Sequence, residues 1–130
     1  AVRVDKLTLA ALQATLQLYA EGRELEIPTL RYISRSVEEI RTLARTLAKS
    51  YKGAVVEKGS TEIGGGSAPG AELPTWRVAL PSDNPSDLTK RLRKGDPPII
   101  GRIEDGKVWL DPRTLEPGEA KIVAQVLRSL

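Results

Sequence analysis

The chain has 130 residues and a formal net charge of +3, with 40% apolar and 28% charged residues. This length is typical of one domain with a core of its own. No apolar run is long enough for a membrane span or a signal peptide. The sequence contains neither Cys nor His, which excludes disulfides, a thiolate nucleophile, a histidine base and the usual zinc sites.

The first part of the chain is predicted to be helical. Apolar residues recur at helical spacing over residues 5–21, and Gly22 supplies a stop. Pro28 begins a short helical turn that extends through residues 29–33. Ser36 and Glu39 form a capping box, which predicts the start of a second amphipathic helix.

Strands are predicted after Gly53. Two short apolar runs, Ala54–Lys58 and Trp76–Leu80, are expected to be strands separated by a glycine-rich loop. Two further runs, Ile99–Ile103 and Lys107–Leu110, flank Asp105-Gly106. Asp-Gly between apolar runs predicts a β-hairpin with a tight turn.

Two more helices complete the pattern, one beginning at Asn84-Pro85 and one at Pro117. The order of elements predicts an α+β fold in which a small, mostly antiparallel sheet is covered by helices on one face. We expect one compact unit overall, in which residues 1–52 form a helical linking segment and residues 53–130 form the small α+β domain.

The segment GGGSAPGAELPTW, residues 64–76, predicts a shaped loop rather than a helix or an ordinary strand. Glycine adopts positive φ freely, and proline fixes φ and removes a hydrogen-bond donor. Such a loop is either a plain structural turn or a site where bare backbone amides meet an anion. The candidate ligand-contacting residues are Gly64, Gly65, Gly66 and Ser67. Because the chain has no histidine, Ser67 cannot belong to a Ser-His-Asp triad.

Several blocks, in this order and spacing, resemble the C-terminal part of the bacterial selenocysteine synthase (L-seryl-tRNA(Sec) selenium transferase) family, which belongs to the fold-type-I pyridoxal-phosphate enzymes. The resemblance covers essentially the whole chain. The blocks are AVRVDKLTLAAL at residues 1–12, EIPTL at 26–30, the glycine-rich segment at 64–76, GDPPIIGRIEDG at 95–106 and LDPRT at 110–114.

The resemblance implies a fragment of a cytoplasmic, oligomeric enzyme with the fold of the C-terminal small domain of this class. The complete enzyme would use pyridoxal phosphate to convert seryl-tRNA(Sec) into selenocysteinyl-tRNA(Sec), with selenophosphate as donor. The lysine that holds the cofactor would lie upstream, because Lys6 is followed by a helical pattern and not by the family's Gly-Gly-Pro-Gln run. The chain alone is therefore expected to contain no catalytic residue, bind no cofactor or metal, and be inactive. The absence of Met fits a chain cut from a longer protein.

The resemblance also implies roles for two arginines. Arg3 would line the site of the selenium donor, and the alternative is a solvated arginine near a helix start. Arg102 interrupts an apolar run beside a glycine. Cations are rarely buried without a partner, so Arg102 is expected either to face water, to meet a substrate anion, or to pair with Glu104 or Asp105. The glycine loop would contact a ligand or the tRNA end.

Two other functions remain open from the sequence. One is a sibling pyridoxal-phosphate enzyme that acts on a small amino acid or a sugar-acid phosphate without tRNA. The other is a free-standing RNA-binding module, for which the cations at residues 90–94 of the third predicted helix would contact phosphates. A solvated helix face explains the same cations.

Overall fold

The computed structural model describes residues 3–63 and 70–130, and the chain divides into two units, Ala1–Arg35 and Ser36–Leu130. The second unit contains the helix that starts after Ser36 together with the whole sheet. The sequence pattern grouped that helix with the N-terminal helices, whereas in the structure it packs on the sheet.

The first unit consists of helix α1 (Lys6–Ala20), a 3₁₀ turn (Glu24–Glu26) and helix α2 (Pro28–Ser34). The carboxylate of Asp5 caps α1, because its Oδ1 accepts hydrogen bonds from the N–H groups of Leu7 at 2.9 Å and Thr8 at 3.0 Å. Both predicted helices are therefore confirmed. Several large apolar side chains of α1 are exposed to solvent in the structure of this chain: Leu7, Leu9, Leu12, Leu16 and Tyr19.

The second unit is built on a four-stranded antiparallel sheet. Its strands are β1 (Val55–Glu62), β2 (Glu72–Leu80), β3 (Arg102–Glu104) and β4 (Lys107–Leu110), in the spatial order β1-β2-β4-β3. The strands of each hairpin are consecutive in sequence, and the central β2–β4 pairing joins the two hairpins. The Asp105-Gly106 turn has positive φ at both residues, 49° and 71°, which confirms the predicted tight hairpin turn.

Three helices cover one face of this sheet: α3 (Val37–Ala48), α4 (Pro85–Lys94) and α5 (Glu119–Arg128). Ser36 Oγ accepts from the N–H of Glu39 at 3.2 Å, as the capping box predicts. The helices bury their apolar faces against alternate residues of the central strands. This core contains Ala44, Leu47, Val78, Leu80, Leu88, Leu92, Val108, Leu110, Ala120, Val123, Ala124 and Leu127. The predicted α+β fold is confirmed.

The hairpin β1–β2 is longer than predicted. Strand β1 continues to Glu62, and β2 begins at Glu72, so the C-terminal part of the segment predicted to be a loop is strand. Pro74 lies opposite Ser60 of β1, but its carbonyl accepts from Arg113 on the side of β4, so its missing N–H faces that side too. Pro74 is tolerated because β4 pairs with β2 only at Val78–Leu80 and needs no donor from it.

The strand predicted at Ile99–Ile103 is wrong at its start, because β3 begins at Arg102. The N–H of Ile99 donates to the carbonyl of Leu92 at 2.9 Å, which ties this residue to the end of α4 instead of to a strand. Gly101 passes close over β4: a Cβ at this position would lie 2.9 Å from Cγ1 of Val108. The chain therefore enters the sheet only after Gly101.

Among residues 3–63 and 70–130, none of the helices combines the length and the apolar character needed to cross a bilayer.

Leu47→Ala tests the packing of α3 on the sheet. Leu47 is 1% exposed, so its truncation is expected to lower the free energy of unfolding of the second unit by about 2–5 kcal/mol. Trp76 and Trp109, the two tryptophans of the chain, both lie in this unit, so denaturant unfolding followed by tryptophan fluorescence measures the change. Leu12→Ala, at a residue 52% exposed on α1, serves as a control and should change it by less than about 0.5 kcal/mol. Equal effects of the two substitutions would contradict the assignment of Leu47 to the core.

Candidate anion-binding site

The sheet face opposite α3, α4 and α5 carries polar and charged side chains. Side chains alternate along a strand, so Val78 and Leu110 point to the core while Arg77 and Trp109 point to this open face. A cavity of about 340 Å³ lies on the open face, and we call it the arginine pocket. Its lining is Ser60, Thr61, Arg77, Ile100, Arg102, Trp109, Asp111, Arg113 and Thr114.

The three arginines of the pocket come from three separate segments. Arg77 belongs to β2, Arg102 is the first residue of β3, and Arg113 lies in the 3₁₀ turn Pro112–Thr114 that follows β4. The antiparallel pairing of β2, β4 and β3 brings these segments together.

Arg77 is held in place by two neighbours. Its Nη1 forms an ion pair with Oε2 of Glu104 at 2.8 Å, and its guanidinium lies 4.5 Å from the centre of the Trp109 ring. The indole N–H of Trp109 in turn donates to the carbonyl of Glu104 at 3.1 Å. Arg77 is therefore engaged within the sheet and forms a fixed wall of the pocket.

Gly59 makes room for Arg77 on the neighbouring strand. A Cβ at residue 59 would lie 2.6 Å from Nε of Arg77, a distance at which the arginine would have to move. The absence of a side chain on β1 at this point lets the arginine lie flat across the sheet.

Arg113 is buried, with 5% of its surface exposed. Its Nη2 donates to the carbonyl of Pro74, on the stretch of β2 that β4 does not cover. Asp111 fixes the turn, since its Oδ1 accepts from the backbone N–H of Arg113 at 2.9 Å and from the hydroxyl of Thr75 at 3.0 Å. The turn after β4 is thereby joined to β2.

Arg102 is the accessible cation of the pocket. Its residue is exposed, and within the described part of the chain it makes no ion pair or hydrogen bond, with Glu104, Asp105 or any other residue. The carboxylate of Glu104 is engaged by Arg77 instead. Pairing of Arg102 with Glu104 or Asp105, one of the alternatives open from the sequence, is therefore wrong for this structure, and the role of Arg102 with an anion stays a prediction.

The pocket has the chemistry of an anion site. Three guanidinium groups face two carboxylates, those of Asp111 and Glu104. Guanidinium keeps its charge near neutral pH and presents a planar fork of donors to carboxylate or phosphate oxygens. The hydroxyls of Ser60 and Thr61 near the end of β1, and of Thr114 in the turn after β4, add neutral donors.

The other predicted site residues lie elsewhere. Arg3 is exposed in the first unit, shortly before the Asp5 cap of α1. The candidates Gly64, Gly65, Gly66 and Ser67 lie outside the described residues. In the two ranges described, no group of three or more acidic, His or Cys side chains has an arrangement suited to a metal ion.

Sequence reasoning missed Arg77 and Arg113. Arg113 falls within the LDPRT block that carries the family resemblance, and this was a usable signal. Arg77 follows Trp76 in a run predicted to be strand, where alternation alone places it opposite the core.

Comparison with known proteins shows the family of this chain. The profile of the L-seryl-tRNA selenium transferase family matches residues 1–116. The L-seryl-tRNA(Sec) selenium transferases of Geobacter sulfurreducens and Aquifex aeolicus are 40% and 38% identical to the whole chain. That of Nitratidesulfovibrio vulgaris is 42% identical over 98% of the chain. The chain spans about 30% of the length of each of these relatives. The chain therefore belongs to the L-seryl-tRNA selenium transferase family.

Proposed function

We propose that this chain is the C-terminal segment of a pyridoxal-phosphate enzyme that converts seryl-tRNA(Sec) into selenocysteinyl-tRNA(Sec) with selenophosphate as donor. The observation that carries the proposal is the arginine pocket, in which Arg102 is left without a partner among the described residues. Relatives that are 40% and 42% identical to this chain bear the name of this activity.

The arginine pocket serves to bind an anionic group of the tRNA end. The seryl carboxyl is esterified to the tRNA and carries no charge. Because this proposal assigns the selenophosphate donor to Arg3, the anion left to Arg102 is a phosphate of the RNA. Arg102 supplies the free guanidinium. Arg77 is paired with Glu104 and Arg113 donates to the carbonyl of Pro74, so both are held in place beside it.

The pyridoxal phosphate is held by the remainder of the protein. It supplies an electron sink that lets the serine hydroxyl leave and selenium take its place. No lysine lines the arginine pocket among the described residues, so these residues do not fit a Schiff-base site. The chain alone is expected to be inactive, and its part is to bind and orient the tRNA end at one wall of the site. The full-length protein acts as a cytoplasmic homo-oligomer.

Two further parts of the chain belong to this proposal. Arg3 binds the selenium donor, a phosphate-like oxyanion suited to a guanidinium. The residues Gly64, Gly65, Gly66 and Ser67 contact the tRNA end through backbone amides.

Arg102→Gln in the full-length enzyme tests the pocket. Loss of a charge-assisted hydrogen bond to phosphate is expected to lower kcat/KM for seryl-tRNA(Sec) about 10- to 100-fold, while the absorbance of the bound cofactor is kept. Arg45→Gln, at an exposed position on α3 outside the pocket, is the matched control and should have no effect. Equal kinetics of the two variants would exclude Arg102 from substrate binding.

Arg3→Ala in the full-length enzyme tests the donor site. The variant is expected to lose selenium transfer at limiting selenophosphate and to retain both cofactor absorbance and tRNA affinity, because only the donor's oxyanion loses its partner. Product formation from labelled donor, followed over a range of donor concentrations, measures the effect. Unchanged turnover at limiting donor would remove Arg3 from the site.

A further inference from the structure

A second pocket adjoins the arginine pocket and is mostly apolar. It has a volume of about 340 Å³ and lies among α3, α5 and the segments before β3 and after β4. Its walls include Leu47, Leu110, Leu115, Ile122 and Val123. We call it the apolar pocket.

The two pockets share part of their lining. Ile100, Asp111 and Thr114 line both. These residues lie just before β3 and just after β4, so the two pockets, which lie on opposite faces of the sheet, meet at this end of it. Ile100 is 67% exposed and Ile122 is 41% exposed. Large aliphatic side chains left this accessible beside a cationic site are suited to a ligand that has an anionic and an apolar part.

We infer that the two pockets together form a nucleotide site for the 3′-terminal adenosine of the acylated tRNA, with its phosphate in the arginine pocket and its base in the apolar pocket. This inference rests on the proposed function. It follows from the chemistry of the ligand: the seryl side chain is small and polar, and the ribose is polar. The base is the one part of the tRNA end with a large, weakly hydrated face that gains from burial against Ile100 and Ile122.

The residues that line both pockets fit a ligand with its phosphate in one pocket and its base in the other. Asp111 and Thr114 separate the two pockets, and both follow β4 on the turn that Asp111 itself fixes through the backbone N–H of Arg113. The position of the phosphate relative to the base is thus set by a rigid segment. Thr114 is exposed at the boundary, where its hydroxyl is placed to meet polar atoms of the sugar.

The test compares two small ligands that differ only by the base, 5′-AMP and ribose 5-phosphate. Both are titrated into the 130-residue chain, and binding is followed by the NMR signals of the Trp109 indole N–H and of the Ile122 backbone amide. We expect 5′-AMP to bind on the order of tenfold more tightly than ribose 5-phosphate, because the base buries apolar surface. The Ile122 amide should shift with 5′-AMP and not with ribose 5-phosphate.

Two variants, Ile122→Gln and Arg102→Gln, and one control separate this inference from the proposed function. Ile122→Gln should remove the advantage of 5′-AMP and leave the affinity for ribose 5-phosphate unchanged. Leu12→Gln, an exposed apolar position on α1, controls for the loss of an exposed aliphatic residue on a helix. Arg102→Gln should weaken both ligands.

The outcomes are distinct. Equal affinities of 5′-AMP and ribose 5-phosphate, or an advantage of 5′-AMP that survives Ile122→Gln, would overturn the nucleotide site and leave the arginine pocket standing. Failure of both ligands to bind, or binding indifferent to Arg102→Gln, would overturn the proposed anion site as well.

Discussion

The pairing of β2 with β4 is the constraint on which the second unit depends. Residues Val78–Leu80 pair with Val108–Leu110, two runs that lie far apart in the sequence. This register sends Val78 and Leu110 into the core and Arg77 and Trp109 to the open face. A slip of one residue would exchange the two sets, placing a guanidinium among aliphatic side chains and valine in the anion pocket. Core packing and site chemistry are thus two results of a single register.

Two of the three arginines of the pocket are held by neighbouring residues, and the third is accessible to a ligand. Arg77 is occupied by Glu104 and by the ring of Trp109, and Arg113 is buried beneath β2 with its turn fixed by Asp111. Arg102, at the edge strand, is the group left to a ligand. The Arg77–Glu104 pair is close to neutral as a whole, so in the proposed site the accessible arginine makes the direct contact with an anion.

Local features of the fold could be predicted from the sequence because their causes are local. The Ser36 cap and the Asp105-Gly106 turn each depend on a few adjacent residues. The start of β3 could not be predicted, because it is set by the hydrogen bond from Ile99 to Leu92 and by the approach of Gly101 to β4. For the same reason the sequence pointed to Arg102 but not to its neighbours: Arg77 and Arg113 join the site only through pairing between distant strands.

The contact between Gly59 and Arg77 links two positions on adjacent strands. The guanidinium of Arg77 occupies the volume that any side chain at residue 59 would need. Replacing Gly59 with a larger residue therefore displaces the arginine. A shorter residue at position 77 would leave room for a side chain at position 59. Within the family, the two positions should accordingly co-evolve: a larger residue at position 59 on the edge strand would accompany loss of the arginine that lies diagonally opposite on β2.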